Sequence, residues 1–254
     1  MTLARRLFAA DSIPATHNMA PIPARPPFPA PAHMTKSEPM LSYPVPQLSL
    51  PLELHQSSSS GTTTGSTLWT ASQVLTAFLP TVVGAAGGRA LELGAGVGLT
   101  ALALAAAGWD VTATDVGDAL PLLRRNVAAN AERVRGTVHV RELDWCAPAP
   151  PPPSPHEPAP HWDLVVTADT VYAADLVPPL MRTIAAARTA KTAVYMAVEL
   201  RDVALVDVAH AEAARVGLAL RKLPRTRVRK AVRAALAWDE PLWAGVEIWK
   251  LVCV

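Results

Sequence analysis

The most constraining feature of this sequence is a short apolar strand that runs directly into a glycine-rich turn, A-L-E-L-G-A-G-V-G-L at residues 90–99. Glycine permits a tight turn after a strand, and it lets the backbone approach a ligand because no Cβ stands in the way. A dinucleotide-binding fingerprint would place its third glycine at position 99, which is Leu99 here. The stretch therefore predicts a strand, a ligand cradle and a helix, and its spacing argues against NAD.

Two acidic residues narrow the choice of ligand. Glu92 lies inside the apolar strand, where an unpaired carboxylate is costly, so we expect it to meet a cationic ligand or a hydrogen-bonded backbone network. Asp115 ends the next apolar run, at about the place where nucleotide-binding sheets set a carboxylate on ribose hydroxyls. Asp118 is positioned to cap the following helix, which leaves Asp115 for the ligand. A ribose and a positive charge fit this set, and S-adenosylmethionine carries both.

The rest of the chain alternates between strand and helix patterns, which predicts an α/β fold with a mostly parallel sheet covered by helices on both faces. Leucines at every second position over 48–54 predict a further strand, which Pro51 places at a sheet edge. Helices are expected over 70–79, 99–107, 119–130, after Asp175 and over 203–216. The remaining strands are expected over 111–115, 138–143, 164–168, 193–198, 218–223 and 246–252.

Ligands of such sheets bind at the carboxyl ends of the strands. The residues expected there are Gly94 to Gly98, Asp115, Asp144 with Trp145, and Ala168 with Asp169. Trp145 is suited to lie against a flat adenine, and Asp144 to accept from its amino group, although a tryptophan in this place also packs a core or a lid.

Composition excludes several classes of protein. The formal net charge of +2 over 254 residues does not indicate a nucleic-acid partner by itself. Two distant cysteines give neither a disulfide framework nor a metal site, so we expect no metal and a location in the cytoplasm or nucleus. The longest apolar run, near residues 97–109, contains a glycine and is shorter than the ~20 residues that a membrane helix needs, so we expect no membrane association.

Proline marks the expected limits of the folded part. Residues 1–44 are rich in proline and lack apolar periodicity, which predicts a disordered arm before a domain over 45–254. A second proline run predicts a loop insertion at 147–161. The arm begins with arginines and apolar residues and no acid, a composition shared with organelle transit peptides, so a transit peptide within 1–30 is the less favoured alternative to a solvated tail.

Six motifs in order from residue 65 to residue 172 carry a family resemblance: G-S-T-L-W-T-A-S, L-E-L-G-A-G-V-G-L, T-D-V-G, N-V-A-A-N, E-L-D-W and A-D-T-V-Y. Together they resemble the family 16 seven-strand S-adenosylmethionine-dependent methyltransferases, which include the methyltransferase-like protein 21 group of protein-lysine methyltransferases. With V-E-I-W-K-L near the C-terminus, they are most similar to the methyltransferase-like protein 22 branch. The resemblance implies a Rossmann-like class I sheet of seven strands, with an antiparallel strand at its C-terminal end.

The resemblance also implies roles for matching residues. Trp69 matches a tryptophan that closes over the cofactor, while Gly94, Ala95 and Gly96 match its cradle. Asp115 matches the ribose acid, and Trp145 and Ala168 match contacts near the adenine. The cofactor set is completed by the residues that position alone singled out, which are Glu92, Gly98 and Asp144. Asp169 and Tyr172 match the D-x-x-Y motif at which the family receives its target lysine. The implied activity is methyl transfer from S-adenosylmethionine to a lysine of a protein substrate.

Alternatives stay open at this point. A small-molecule amine methyltransferase or a non-catalytic cofactor-binding scaffold would use the same cradle. Enzymes that methylate nucleobases or glutamine resemble one another in an N-P-P-Y motif, and the segment D-T-V-Y at 169–172 has no proline. The basic segment over 221–233 is compatible with a nucleic-acid contact, but a solvated surface is the favoured interpretation. Nucleic acid is disfavoured as the direct substrate.

Overall fold

The computed structural model describes residues 28–57, 64–84, 87–147 and 161–254. Its helices are α1 (Ala32–Thr35), α2 (Thr70–Phe78), α3 (Leu99–Ala106), α4 (Leu120–Asn130), α5 (Val177–Ala187), α6 (Val203–Arg215) and α7 (Arg225–Leu236). Its strands are β1 (Met40–Tyr43), β2 (Leu52–His55), β3 (Arg89–Leu93), β4 (Asp110–Asp115), β5 (Thr137–Glu142), β6 (Leu164–Ala168), β7 (Ala193–Glu199), β8 (Leu218–Lys222) and β9 (Val246–Cys253).

Seven strands form the main sheet in the order β5-β4-β3-β6-β7-β9-β8, and β9 is antiparallel to both of its neighbours. The mostly parallel sheet with an antiparallel C-terminal strand is therefore confirmed. The chain first builds outward from β3 to β5 and then returns to place β6 on the other side of β3. This change of direction opens a crevice at the carboxyl ends of β3 and β6, where doubly wound sheets bind their ligands.

Successive strand residues pack alternately into two hydrophobic cores, one on each face of the sheet. On β6, Leu164 and Val166 join the core that also contains residues of α2, α3, α4 and α7. Val165 joins the core formed with α5 and α6. All three side chains are fully buried, which explains why this strand reads as an unbroken apolar run rather than as an alternating one. The two cores hold the strand ends rigidly at the crevice.

Part of the expected N-terminal arm is packed on the domain. Residues 28–44 include α1 and β1, and buried side chains fix their backbone. Gln73 accepts from the Ala32 N–H and donates to the Ala30 carbonyl, Gln56 donates to the carbonyls of Thr35 and Glu38, and Trp238 donates to the Pro29 carbonyl. The expected boundary at residue 44 therefore differs from the structure, because distant residues supply the contacts. Residues 1–27 lie outside the described residues, so for them the arm stays a prediction.

The strand predicted from the leucine alternation over 48–54 also differs from the structure. Only Leu52–His55 forms a strand, and it pairs with β1 in a separate two-stranded sheet. Two asparagines of α4 bind its other edge: Asn126 exchanges hydrogen bonds with the backbone of His55, and Asn130 does the same with Glu53. The N-V-A-A-N motif thus places two amides one turn apart, where they hold β2 as a neighbouring strand would.

The expected proline-rich insertion at 147–161 falls almost entirely outside the described residues and stays a prediction. Within the described ranges, every helix is too short or too polar to cross a membrane. In the same ranges, no three His, Cys, Asp or Glu side chains are grouped as metal ligands would be.

Candidate active site

A pocket at the carboxyl ends of β3, β4 and β6 brings together residues that are far apart in the sequence. Its lining contains every site residue predicted from the sequence except Gly98. These residues are Trp69, Glu92, Gly94, Ala95, Gly96, Asp115, Asp144, Trp145, Ala168, Asp169 and Tyr172.

The turn after β3 has the backbone that its glycines predict. Gly94 has a φ of 69° and Gly98 a φ of 87°, both in the left-handed region that side chains rarely adopt. A Cβ on Gly94 would lie 2.8 Å from Thr170 Cγ2, and a Cβ on Gly98 would lie 2.7 Å from Leu123 Cδ1. Gly94 lets Thr170 pack closely on a turn that lines the pocket, whereas Gly98 forms the N-terminal cap of α3 and acts on the turn instead of lining the pocket.

Asp115 ties the glycine turn to the end of β4. One carboxylate oxygen accepts the Gly96 N–H at 2.8 Å, and the other accepts the Val116 N–H at 2.8 Å. Burial raises the pKa of Asp115, and these two donors lower it. The expectation that Asp118 caps the next helix is wrong, because α4 begins after a 3₁₀ turn at Gly117–Ala119 and no side chain caps it.

Glu92 is a buried acid with an unused oxygen. The residue is 2% exposed, and within the described structure its Oε2 has no hydrogen-bond partner. Burial raises the pKa of Glu92 from 4.5 to about 8, against the lowering effect of the Thr100 hydroxyl and the Ala101 N–H. The hydrogen-bonded network expected for Glu92 is thus incomplete, and the free oxygen belongs to a residue that lines the pocket.

The segment after β5 forms another wall. The outer atoms of the Trp145 ring lie 3.4 Å from the place of a Cβ on Gly94. The Trp145 Nε1–H is buried, and no described residue accepts it. Asp144 accepts the Cys146 N–H at 2.8 Å, which fixes the bend that turns Trp145 toward the pocket.

Trp69 lies at the N-terminal end of α2. Its indole N–H donates to the Thr64 carbonyl at 2.8 Å, which fixes the ring. Two cations lie on this ring, with Lys36 Nζ 3.7 Å and Arg201 Cζ 4.9 Å from its centroid. Because cations are attracted to the indole face, Trp69 joins the N-terminal segment to the residues that follow β7.

Asp169 has a strained backbone and a paired side chain. Its φ of 58° is in the left-handed region, and its N–H donates to the Ala197 carbonyl of β7. Arg201 binds both carboxylate oxygens, at 2.7 and 3.2 Å, and also binds Glu199 at 2.5 Å. Tyr172 is 43% exposed at the mouth of the pocket. The two residues of the D-x-x-Y motif are thus placed together, one buried and one accessible.

Sequence reasoning missed Glu199, Arg201 and Thr170. Glu199 is the last residue of β7, so the same strand-end rule that singled out Asp169 applies to it. Arg201 follows two residues later, and nothing in its sequence context separates it from other arginines. The Thr170 hydroxyl bonds to the Thr167 hydroxyl, which itself donates to the Leu93 carbonyl at 2.8 Å. That chain of bonds joins the ends of β6 and β3.

The basic segment over 221–233 is partly neutralised. Lys222 pairs with Glu247, and Arg225 and Arg229 share Glu240. Arg225 also stacks on Trp243 at 3.7 Å. Three of its cations thus have partners within the fold, and the solvated surface stays a prediction.

Comparisons with known proteins agree with this geometry. A family model described as lysine methyltransferase matches residues 48–211. The protein N-lysine methyltransferase METTL21A of Danio rerio is 35% identical over 136 residues, which are 53% of this chain and 60% of that protein. Methyltransferase-like protein 22 of Homo sapiens is 46% identical over 63 residues, 23% of this chain and 16% of that protein. These matches thus span at most about three fifths of either curated relative.

Among solved structures, the glycopeptide N-methyltransferase MtfA complexed with S-adenosylmethionine matches with a TM-score of 0.53 and 14% identity, over 72% of this chain and 94% of that chain. At this identity the likeness shows the fold, a class I methyltransferase sheet. The family match is stronger, because its model covers well over half of the chain and includes β2, the glycine turn and the D-x-x-Y segment. The chain belongs to the lysine methyltransferase family.

Proposed function

We propose that this chain is a protein-lysine N-methyltransferase that uses S-adenosylmethionine. The observation that carries the proposal is the pocket itself, in which an incompletely bonded buried acid, Glu92, and the pair Asp169 and Tyr172 line one crevice. Relatives of the same family are named as protein N-lysine methyltransferases. The substrate is a protein that presents a lysine at the mouth of this crevice.

The lining fits the cofactor chemically. S-adenosylmethionine brings a ribose, an adenine, an amino group and a positive sulfonium. Glu92 has a free oxygen for a positively charged group, and Asp115 lies where a ribose hydroxyl is expected to bind. Trp145 offers an aromatic face with Asp144 beside it, and the missing Cβ of Gly94 lets Trp145 and Thr170 lie close to the glycine turn. We assign these residues, with Trp69 and Ala168, to cofactor binding.

The other end of the pocket suits a lysine. Asp169 and Glu199 are two acids held by one arginine, Arg201, so the cluster keeps one net negative charge. An incoming ammonium is attracted to that charge. Tyr172 is exposed beside it, and its hydroxyl or ring face is available to orient the amine.

Alignment accounts for much of the expected rate. When bound, the cofactor supplies an electrophilic methyl group on its sulfonium. A lysine attacks only as the neutral amine, and its ordinary pKa lies near 10.4, so the site must receive the cation and let it lose a proton. Asp169 and Tyr172 hold the nitrogen in line with the pocket, and such positioning is a large source of rate acceleration.

The test is to incubate the purified chain and S-adenosylmethionine labelled in its methyl group with a cell extract, and to separate protein, RNA and low-mass fractions. We expect label in protein, on lysine side chains identified by mass spectrometry. Asp169→Ala should lose transfer while it still binds the cofactor. Asp175→Ala is the matched control, because Asp175 is an exposed acid of the same segment.

The other outcomes overturn the proposal. Label confined to the low-mass fraction would identify a small-molecule amine methyltransferase, and label in RNA would assign the activity to nucleic acid. Cofactor binding without transfer to any fraction would indicate a scaffold. Retained transfer in Asp169→Ala would overturn the part of the proposal that places the lysine at Asp169.

A further inference from the structure

Arg201 connects the two acids at the substrate end of the pocket, Asp169 and Glu199, with the ring of Trp69. Its guanidinium makes two bonds to Asp169, at 2.7 and 3.2 Å, and a third to Glu199 at 2.5 Å. It also lies on the ring of Trp69, at 4.9 Å from the centroid. A planar guanidinium is suited to bind a carboxylate with two parallel bonds and to stack on an indole at the same time.

Asp169 needs this partner. Its side chain is 3% exposed, and an isolated carboxylate in such a place favours its neutral form. Burial raises the pKa of Asp169 and is the largest effect. The bonds and charge of Arg201 lower the pKa, the charge of Glu199 raises it, and a hydrogen bond from the Glu199 backbone lowers it. The side chains of Arg201 and Glu199 therefore act on Asp169 in opposite directions.

The backbone of Asp169 adds a reason for a fixed side chain. A φ of 58° is unusual for a residue with a Cβ and strains the backbone. The Asp169 N–H is bound to Ala197 of β7, and the carboxylate is bound to Arg201, two residues beyond the end of β7. Both ends of the residue are thus fixed from the same neighbouring strand.

We propose that Arg201 is a positioning residue for lysine methylation, which holds the Asp169 carboxylate ionised and in one orientation so that it can receive the substrate amine. The inference rests on the proposed function. In this arrangement the Glu199 carboxylate keeps the net charge of the cluster negative, because the charge of Arg201 is neutralised by Asp169. A protonated Asp169 would lose the charge that attracts an ammonium ion.

The other charged groups near Asp169 do not change the role proposed for Arg201. Glu92 and Asp115 line the same pocket from β3 and β4, but the pKa of Asp169 is set by its burial, by Arg201 and by Glu199. Lys36 lies on the ring of Trp69, and among the described residues it is the other cation on that ring. Arg201 makes the side-chain bonds to the carboxylate, beside one bond from the Glu199 backbone.

The experiment measures kcat/KM for a methyl-accepting protein against pH, because its acid limb reports groups of the free enzyme. In Arg201→Met we expect the acid limb to move to higher pH, with a loss of about 10–100-fold near neutral pH as a charge-assisted pair is removed. Arg201→Lys keeps the charge and should restore part of the loss. In Glu199→Gln we expect the limb to move to lower pH.

Arg215→Met is the matched control, because Arg215 forms an exposed ion pair with Glu212 on α6, outside the pocket lining. A uniform loss of activity with an unmoved acid limb in the Arg201 variants would overturn the proposal, since it would indicate only a structural role. Shifts of the same sign in Arg201→Met and Glu199→Gln would also overturn it.

A second readout separates this inference from the proposed function. The carboxyl ¹³C resonance of Asp169, identified by its absence in Asp169→Asn, is titrated in the wild type and in Arg201→Met without substrate. A pKa raised by the substitution supports the positioning role even where no lysine is methylated. An unchanged titration overturns it even where methylation is found.

Discussion

Replacing Glu92 with glutamine should make the cofactor-free protein more stable and the cofactor complex weaker. The Glu92 carboxyl has a pKa of about 8 in the folded chain against an ordinary value of 4.5. A raised pKa in an acid means that the folded state holds its proton more tightly than the unfolded state does. Burying the ionised form therefore lowers the free energy of unfolding as pH rises from 4.5 to 8, and the penalty is constant above that range.

The size of this penalty follows from the shift. Each pKa unit corresponds to about 1.4 kcal/mol, which gives a penalty of about 3 kcal/mol at pH 7, about 5 kcal/mol above pH 8 and under about 1 kcal/mol at pH 5. Glutamine has no charge to bury, so Glu92→Gln should recover a large part of it near neutral pH. For a chain of this size, about 3 kcal/mol corresponds to a rise in Tm on the order of 6–12 °C.

Cofactor binding should change in the opposite direction. A charge-assisted hydrogen bond is worth about 1.5–3 kcal/mol, so Glu92→Gln should weaken S-adenosylmethionine binding by about 10–100-fold. In the wild type the affinity should also increase with pH up to about 8, as Glu92 ionises, and the variant should lack this dependence.

Urea unfolding between pH 5 and pH 8.5 measures the first effect, and isothermal titration calorimetry measures the second. Glu132→Gln is the control, because Glu132 is an exposed acid beyond the end of α4. The reasoning is refuted if Glu92→Gln is less stable than the wild type at pH 7.5, or if the difference in stability does not shrink toward pH 5.

Three further substitutions or truncations test the fold around the site. Gly94→Ala should abolish cofactor binding, since its Cβ would meet Thr170 at 2.8 Å, and unchanged affinity in calorimetry would contradict the cradle. Asn126→Ala should lower the free energy of unfolding by about 1–3 kcal/mol, because it leaves the His55 backbone groups without a partner; urea unfolding of Thr226→Ala, an exposed position on α7, is the comparison. A chain that begins at residue 45 should be less stable than one that begins at residue 28 by about 2–4 kcal/mol, since it loses the buried bonds of segment 28–44, and equal Tm values in thermal unfolding would show that the segment is dispensable.

Most of the fold could be predicted from the sequence because β3, β6 and β7 are apolar runs bounded by clear turns. It also contains the acids and glycines at strand ends, since a parallel sheet brings its carboxyl ends to one edge. Glu92 could be predicted as a site residue because it is an acid inside an apolar strand. The spacing of the glycines is also a local feature, and it argued against a dinucleotide cofactor.

Features that depend on distant partners were not recognisable. Residues 28–44 are proline-rich and look unstructured, yet Gln56, Gln73 and Trp238 supply the bonds that order them. Arg201 becomes part of the site only because β7 is the neighbour of β6, and strand order is a property of the whole sheet. Tertiary contacts decide these cases, whereas composition and periodicity report local preference.

The bond from Trp238 to the Pro29 carbonyl has a consequence for the order in which the chain matures. It joins positions that are 209 residues apart, so the earlier segment receives this partner only after residue 238 has left the ribosome. Contacts of such long sequence separation slow folding. Lys36, which lies on the tryptophan at the pocket, belongs to that same segment. The segment that brings Lys36 to Trp69 is therefore fully bonded only after residue 238 has been made, long after the segment itself.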